Sequence, residues 1–132
     1  MKINYDELLA KAKEVSKNAY APYSNFPVGA CVLFENGNMY TGCNVENASY
    51  GLSLCAERNA ISTAVAAGEK AKLVAIAIVA ENMLDCPPCG ACRQWIYEFS
   101  PDAELIFETK DGYCTTTIKE LLPKGFVLNT KD

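Results

Sequence analysis

No apolar run in this chain is long enough to cross a bilayer. The longest, Leu73 to Ala80, falls well short of the about 20 residues a spanning helix needs, so a membrane protein is not expected. The start, Met1-Lys2-Ile3-Asn4-Tyr5-Asp6, lacks the apolar core of a secretory signal. Seven cysteines, an odd number, then read as reduced thiols in a soluble, cytoplasmic protein. Positive charge is also scarce. Twelve Lys and Arg against sixteen Asp and Glu give a formal net charge of -4 and a pI near 4.9, and the cations are scattered. That leaves no footprint for a polyphosphate backbone, so nucleic acid is not expected as a partner. Internal repeats, low-complexity tracts and Pro/Gly/Ser linkers are missing too. What remains, 132 residues with 50% hydrophobic and 21% charged, suits a single domain over 1–132 with its own core.

Periodicity supplies the elements. Asn4 to Ala19 places Leu8, Leu9, Ala12 and Val15 on one helical face, and Ala21-Pro22-Tyr23-Ser24 marks its end. Val28 to Phe34 and Met39 to Cys43 read as strands, with Asn36-Gly37 predicting a two-residue hairpin turn of the primed type. Ala56 to Ala67 is helical and stops at Gly68. Leu73 to Val79 is apolar without alternation, as a central strand covered on both faces should be. Gly90 to Phe99 is a helix announced by Pro87 and Pro88. Glu104 to Phe107 and Tyr113 to Thr116 are shorter strands, and Ile118 to Leu122 a last short helix. The order α-β-β-α-β-α-β-β-α predicts an α/β fold: a three-layer α/β/α sandwich around one mixed, roughly five-stranded sheet.

The chemistry concentrates in Cys55-Ala56-Glu57 and Pro88-Cys89-Gly90-Ala91-Cys92. Three thiolates leave a zinc ion one open position, which suits a catalytic water. All three cysteines fall at predicted helix starts, where unpaired N–H groups favour the thiolate. Glu57, two residues past the lone cysteine, is placed to exchange protons with whatever fills the open position. Three thiolates overload a divalent ion with negative charge. A guanidinium at Arg58 donating to one or two sulfurs would relieve it.

Other readings exist for each part. A closed structural Cys₄ site would want a second paired cysteine beside Cys55, and the sequence has none there. Overlapping Cys86-Pro87-Pro88-Cys89 and Cys89-Gly90-Ala91-Cys92 fit a redox dithiol by local spacing, but that leaves Cys55 and Glu57 unexplained. The joint pattern, a lone ligand with Glu two residues on and a distant P-C-x-x-C, is that of zinc deaminases, here with cysteine as the first ligand.

The chain also resembles the small, homotetrameric cytidine deaminases of pyrimidine salvage along most of its length. The blocks that carry the resemblance are Ala19 to Ala30, Gly42 to Tyr50, Cys55 to Arg58, Pro88 to Gln94 and Glu120 to Pro123, in that order. The resemblance implies one Zn²⁺ per subunit on Cys55, Cys89 and Cys92, with Glu57 as the proton shuttle. It implies a free pyrimidine nucleoside as substrate, cytidine or 2′-deoxycytidine. Asn44 and Glu46 would bind the ribose 3′-hydroxyl and Phe26 would pack near the pyrimidine. Tyr50 and Phe126 would reach a neighbouring subunit's substrate, so that sites are shared within a homotetramer. The backbone N–H of Ala56 would donate to the base O2 carbonyl. The chain departs from the family at Pro87, where serine is usual, and carries an extra thiol at Cys86. Proline keeps the carbonyl that would accept from the exocyclic amine. Deamination of another cytosine-containing small molecule, of the blasticidin-S type, shares the zinc motifs and is separated only by the ribose block. A non-enzymatic zinc or redox module is the third reading.

Overall fold

Leu8, Ala12 and Ser16, four residues apart, are the buried stripe of the first helix, α1 (Tyr5–Ser16). The structure, a computed structural model, describes residues 1–81 and 86–128. Asn4 caps α1 by accepting the Glu7 N–H at 3.1 Å, and Asp6 and Glu7 place negative charge in its first turn. The helix ends at Ser16 rather than Ala19. Ser16 turns its hydroxyl back to the Lys13 carbonyl at 2.6 Å, and serine competing for backbone in this way weakens continuation.

The strands are β1 (Val28–Phe34), β2 (Met39–Cys43), β3 (Leu73–Ala80), β4 (Glu104–Thr109) and β5 (Gly112–Thr117), in one sheet of order β2-β1-β3-β4-β5. Only β3 and β4 run parallel. The unbroken apolar run of β3 is thus the middle strand, as its lack of alternation predicts. Ile76 and Ile78 face one layer, and Ala75, Ala77 and Val79 face the other. The first layer is built with α2 (Ala56–Ala66) and α3 (Gly90–Phe99), and α1 covers the opposite face. A final short helix, α4 (Ile118–Leu121), opens with a capping box between Thr117 and Glu120. The predicted α/β sandwich with a mixed five-stranded sheet is the observed one.

Two glycines let the helices approach. A Cβ on Gly29 would lie 1.9 Å from the Ala12 carbonyl oxygen of α1, and one on Gly42 would lie 2.3 Å from the Ala60 nitrogen of α2. No side chain fits either gap. The β1–β2 turn differs from the expected two-residue form. The Gly37 N–H bonds Phe34 O at 2.9 Å and the Phe34 N–H bonds Asn38 O at 2.9 Å, so three residues, Glu35 to Gly37, make the loop. Gly37 has φ +91, whereas Asn25 alone among described non-glycine residues has positive φ, so Asn36 does not adopt the primed geometry. Its amide serves elsewhere, accepting from the Asn38 N–H and donating to Glu69. The result is the three-residue hairpin loop with a left-handed glycine.

Candidate active site

Both chemistry-bearing helices begin on a cysteine. Cys55 is the N-cap of α2 and Cys89 the N-cap of α3, each with extended backbone and no side-chain capping bond. Their sulfurs are therefore not spent on the helices they start. Cys92, one turn into α3, is buried. The Sγ atoms of Cys55, Cys89 and Cys92 all lie within 4.8 Å of one another.

This donor set fits a zinc ion. The chain contains no histidine, so a soft-tolerant metal must be held by sulfur here, and three thiolates at this spacing leave one of four tetrahedral positions open. The surroundings favour a thiolate at Cys55. Cys55 is drawn down to about 5 by the hydrogen bond from Cys92 and, against the opposing pull of burial, by Arg58. Cys92 is raised, first by that same bond and then by burial. Arg58 Nη2 stands 3.4 Å from Cys55 Sγ, the placement expected of a donor that drains charge from a ligand sulfur. Its Nε is buried with no hydrogen-bond partner among the described residues.

Glu57 lies one residue into α2 and is only 4% exposed. Burial pushes its carboxyl up to about 7, with the Cys55 charge adding to the rise. A carboxyl poised near neutrality beside a metal site is suited to taking and returning protons.

A cavity of about 270 Å³ opens onto Cys55, Ala56, Glu57 and Cys89. Phe26, Asn44, Glu46 and Pro87 line it as well. Two isolated bridges explain the convergence: Val45 pairs with Leu54 on one side and Tyr20 on the other, which draws the Phe26 segment and the residues after β2 against the start of α2. Tyr50 is 76% exposed and lines an adjoining cavity of about 330 Å³ that shares Glu46 and Ser53 with the first. Phe126 lines neither cavity and is 66% exposed. Cys86 lines the first cavity without joining the three-sulfur group, its thiol raised chiefly by burial.

Asn44 and Glu46 have partners that the sequence reading did not foresee. Asn44 Oδ1 accepts the Val28 N–H at 2.8 Å, and its Nδ2 donates to Phe26 O at 2.9 Å. Glu46 Oε1 accepts the N–H groups of Tyr23 and Ser24, each at 3.0 Å, and Oε2 accepts the Ser24 hydroxyl. These bonds hold the Glu46 carboxyl below its ordinary value, the Ser24 hydroxyl contributing most. Ser24 went unnoticed although a local signal existed, since a serine commonly bonds the amide two residues on. Arg93 ties Pro88 O at 2.8 Å to Leu121 O at 3.2 Å. It thereby fixes the segment just before Cys89 against the end of α4.

Known proteins are similar to this chain over most of its length. Residues 2–109 match the family described as the cytidine and deoxycytidylate deaminase zinc-binding region. The chain is 42% identical over 126 residues to the cytidine deaminase of Sporosarcina psychrophila, covering 94% of this chain and 92% of that one. It is 44% identical over 121 residues to that of Halalkalibacterium halodurans, covering 90% and 91%. The crystal structure of cytidine deaminase from Burkholderia pseudomallei superposes with a TM-score of 0.88 at 43% identity, covering 94% of this chain and all of that one. No helix among the described residues is long and apolar enough to cross a membrane. With three sulfurs and a buried carboxylate meeting at two helix starts, and with this extent of likeness, the chain belongs to the cytidine and deoxycytidylate deaminase family.

Proposed function

We propose that the chain is a zinc-dependent hydrolase that deaminates cytidine and 2′-deoxycytidine to uridine and 2′-deoxyuridine, releasing ammonia. The observation that carries this reading is the buried Glu57 carboxyl sharing one nucleoside-sized cavity with Cys55 and Cys89. Cys55, Cys89 and Cys92 hold the metal. Zinc, when bound, lowers the pKa of water and so supplies a nucleophile at neutral pH.

The remaining work falls to the chain. Glu57 accepts a proton from the attacking water and delivers it to ring N3, which makes C4 electrophilic. It then carries the second water proton to the exocyclic nitrogen, and ammonia leaves. The Ala56 N–H, at the unpaired start of α2, donates to the O2 carbonyl as charge moves onto the ring. The Pro87 carbonyl accepts from the exocyclic amine. Phe26 packs on the base, Asn44 and Glu46 receive the ribose, and Arg58 tempers the charge on the sulfurs.

In this reading residues 1–132 act as one domain, and the protein is a cytoplasmic homotetramer serving pyrimidine salvage. Supporting assembly are Tyr50, Leu52, Phe126, Val127 and Leu128, each at least 65% exposed in the single chain. Large apolar side chains left this exposed favour contact surfaces, and Tyr50 and Phe126 would complete a neighbour's site. The test is incubation of purified, zinc-loaded protein with cytidine, 2′-deoxycytidine, cytosine and CMP, following loss of cytosine absorbance. Turnover of the two nucleosides is expected; no reaction with either defeats the reading.

A further inference from the structure

Ser24 stands between two residues that line the cavity. Its hydroxyl donates to Glu46 Oε2 and accepts the Phe26 N–H at 3.1 Å. The single hydroxyl hydrogen is thus committed to Glu46 and is not available to a ligand. Phe26 is held at both ends of its peptide, by Ser24 at the N–H and by Asn44 at the carbonyl. Asn25 between them takes a left-handed backbone, φ +55, which turns the chain so that the hydroxyl of Ser24 meets the amide two residues on.

The occupancy of Glu46 narrows what it can offer. An ionised carboxylate has about four lone-pair positions. Two on Oε1 are filled by the Tyr23 and Ser24 N–H groups, and one on Oε2 is filled by the Ser24 hydroxyl. Among the described residues no other group donates to the carboxylate, which leaves a single acceptor position on Oε2. Its direction is set by Ser24, because the carboxylate cannot rotate without breaking three bonds.

We propose that Ser24 is a positioning residue that sets ribose selectivity, aiming the one remaining acceptor of Glu46 at the sugar 3′-hydroxyl while fixing Phe26 at the matching distance. This rests on the nucleoside reading above and adds the residue that makes it selective. Ser24 touches no reacting atom. It acts on KM through Glu46 and leaves the proton transfers at Glu57 alone.

The experiment compares wild type, Ser24→Ala and Ser24→Thr, all zinc-loaded, on cytidine, 2′-deoxycytidine and 3′-deoxycytidine. Ser24→Ala should raise KM about tenfold for the first two, the scale of one hydrogen bond to a charged group. It should leave kcat within about twofold and lower kcat/KM for 3′-deoxycytidine less than for the other two, since that substrate loses only the Phe26 bracing. Ser24→Thr keeps the hydroxyl and should restore wild-type KM. An equal loss on all three nucleosides, a loss confined to kcat, or an unchanged KM for cytidine overturns the proposal. Hydrogen exchange gives a second readout: the Phe26 amide should lose protection in Ser24→Ala and keep it in Ser24→Thr, and unchanged protection in Ser24→Ala refutes the bracing. If wild type turns over none of the nucleosides, the proposed activity has failed instead, and exchange at Phe26 decides the bracing alone.

Discussion

The side-chain amide of Gln94 holds the backbone of Phe126 by two opposed hydrogen bonds, Nε2 to Phe126 O at 2.8 Å and Phe126 N to Oε1 at 2.9 Å. Beside it, Gly125 lies on the Tyr97 ring, where a Cβ would come within 2.6 Å. The last described residues are thereby fastened to α3, the helix that carries Cys92, while the Phe126 ring stays exposed.

Gln94→Ala removes both bonds. Amide exchange at Phe126 should then rise at least tenfold, while the global midpoint falls by only a few degrees, because each exposed bond is worth about 1 kcal/mol. Exchange mass spectrometry resolves the two effects. A Phe126 amide that exchanges as in wild type would show that Gln94 does not hold the segment.

Metal binding and proton transfer should separate by mutation. Glu57→Gln is expected to keep one zinc per chain, counted by elemental analysis, yet lose turnover by about 10²–10⁴-fold or more. Cys89→Ala should lose the zinc as well as the activity. Finding zinc absent from Glu57→Gln would contradict the division of roles.

Gly42→Ala tests the contact between β2 and α2. With the added carbon 2.3 Å from a backbone nitrogen rather than a flexible side chain, the helix must move. Destabilisation of about 1–3 kcal/mol or more is expected in urea unfolding. Because Cys55 caps α2 and Glu57 lies in its first turn, weaker zinc retention should accompany it.

Glu69 couples the β1–β2 hairpin to the turn after α2 and should make stability pH-dependent. Its carboxylate accepts from Asn36, Asn38, Tyr40 and the Ala71 N–H. These bonds, with Asn38 the largest contributor, bring it down to about 2 from an ordinary 4.5. A depressed carboxyl contributes stability fully above its unfolded value and loses it as pH falls through the folded value. The stability difference between wild type and Glu69→Gln should therefore be constant above about pH 5.5 and shrink between about pH 4.5 and 2. A difference independent of pH over that window would contradict the assignment.

Much of the site was legible in the sequence because its ligands come as short local patterns. Cys55 with Glu57, and Cys89 with Cys92, are each fixed relative to one another by a single helical turn, which spacing reports directly. The same holds for β3, whose unbroken apolar run follows from having a layer on either face. The turn at Asn36 was misread because Glu69, distant in sequence, claims the Asn36 amide. Local propensity carries no information about such a partner.

The sequence by itself determined the ligand types, the helix starts that bear them and the order of the elements, since all depend on neighbours a few residues away. Only the tertiary structure decided that three sulfurs converge within 4.8 Å, that Glu57 is buried beside them, and that Asn44 and Glu46 first brace the Phe26 loop before they can meet a ligand. Those relations join strands and helices whose separation is set by packing, by Gly29 and Gly42 admitting α1 and α2 to the sheet. No periodicity along the chain encodes that distance.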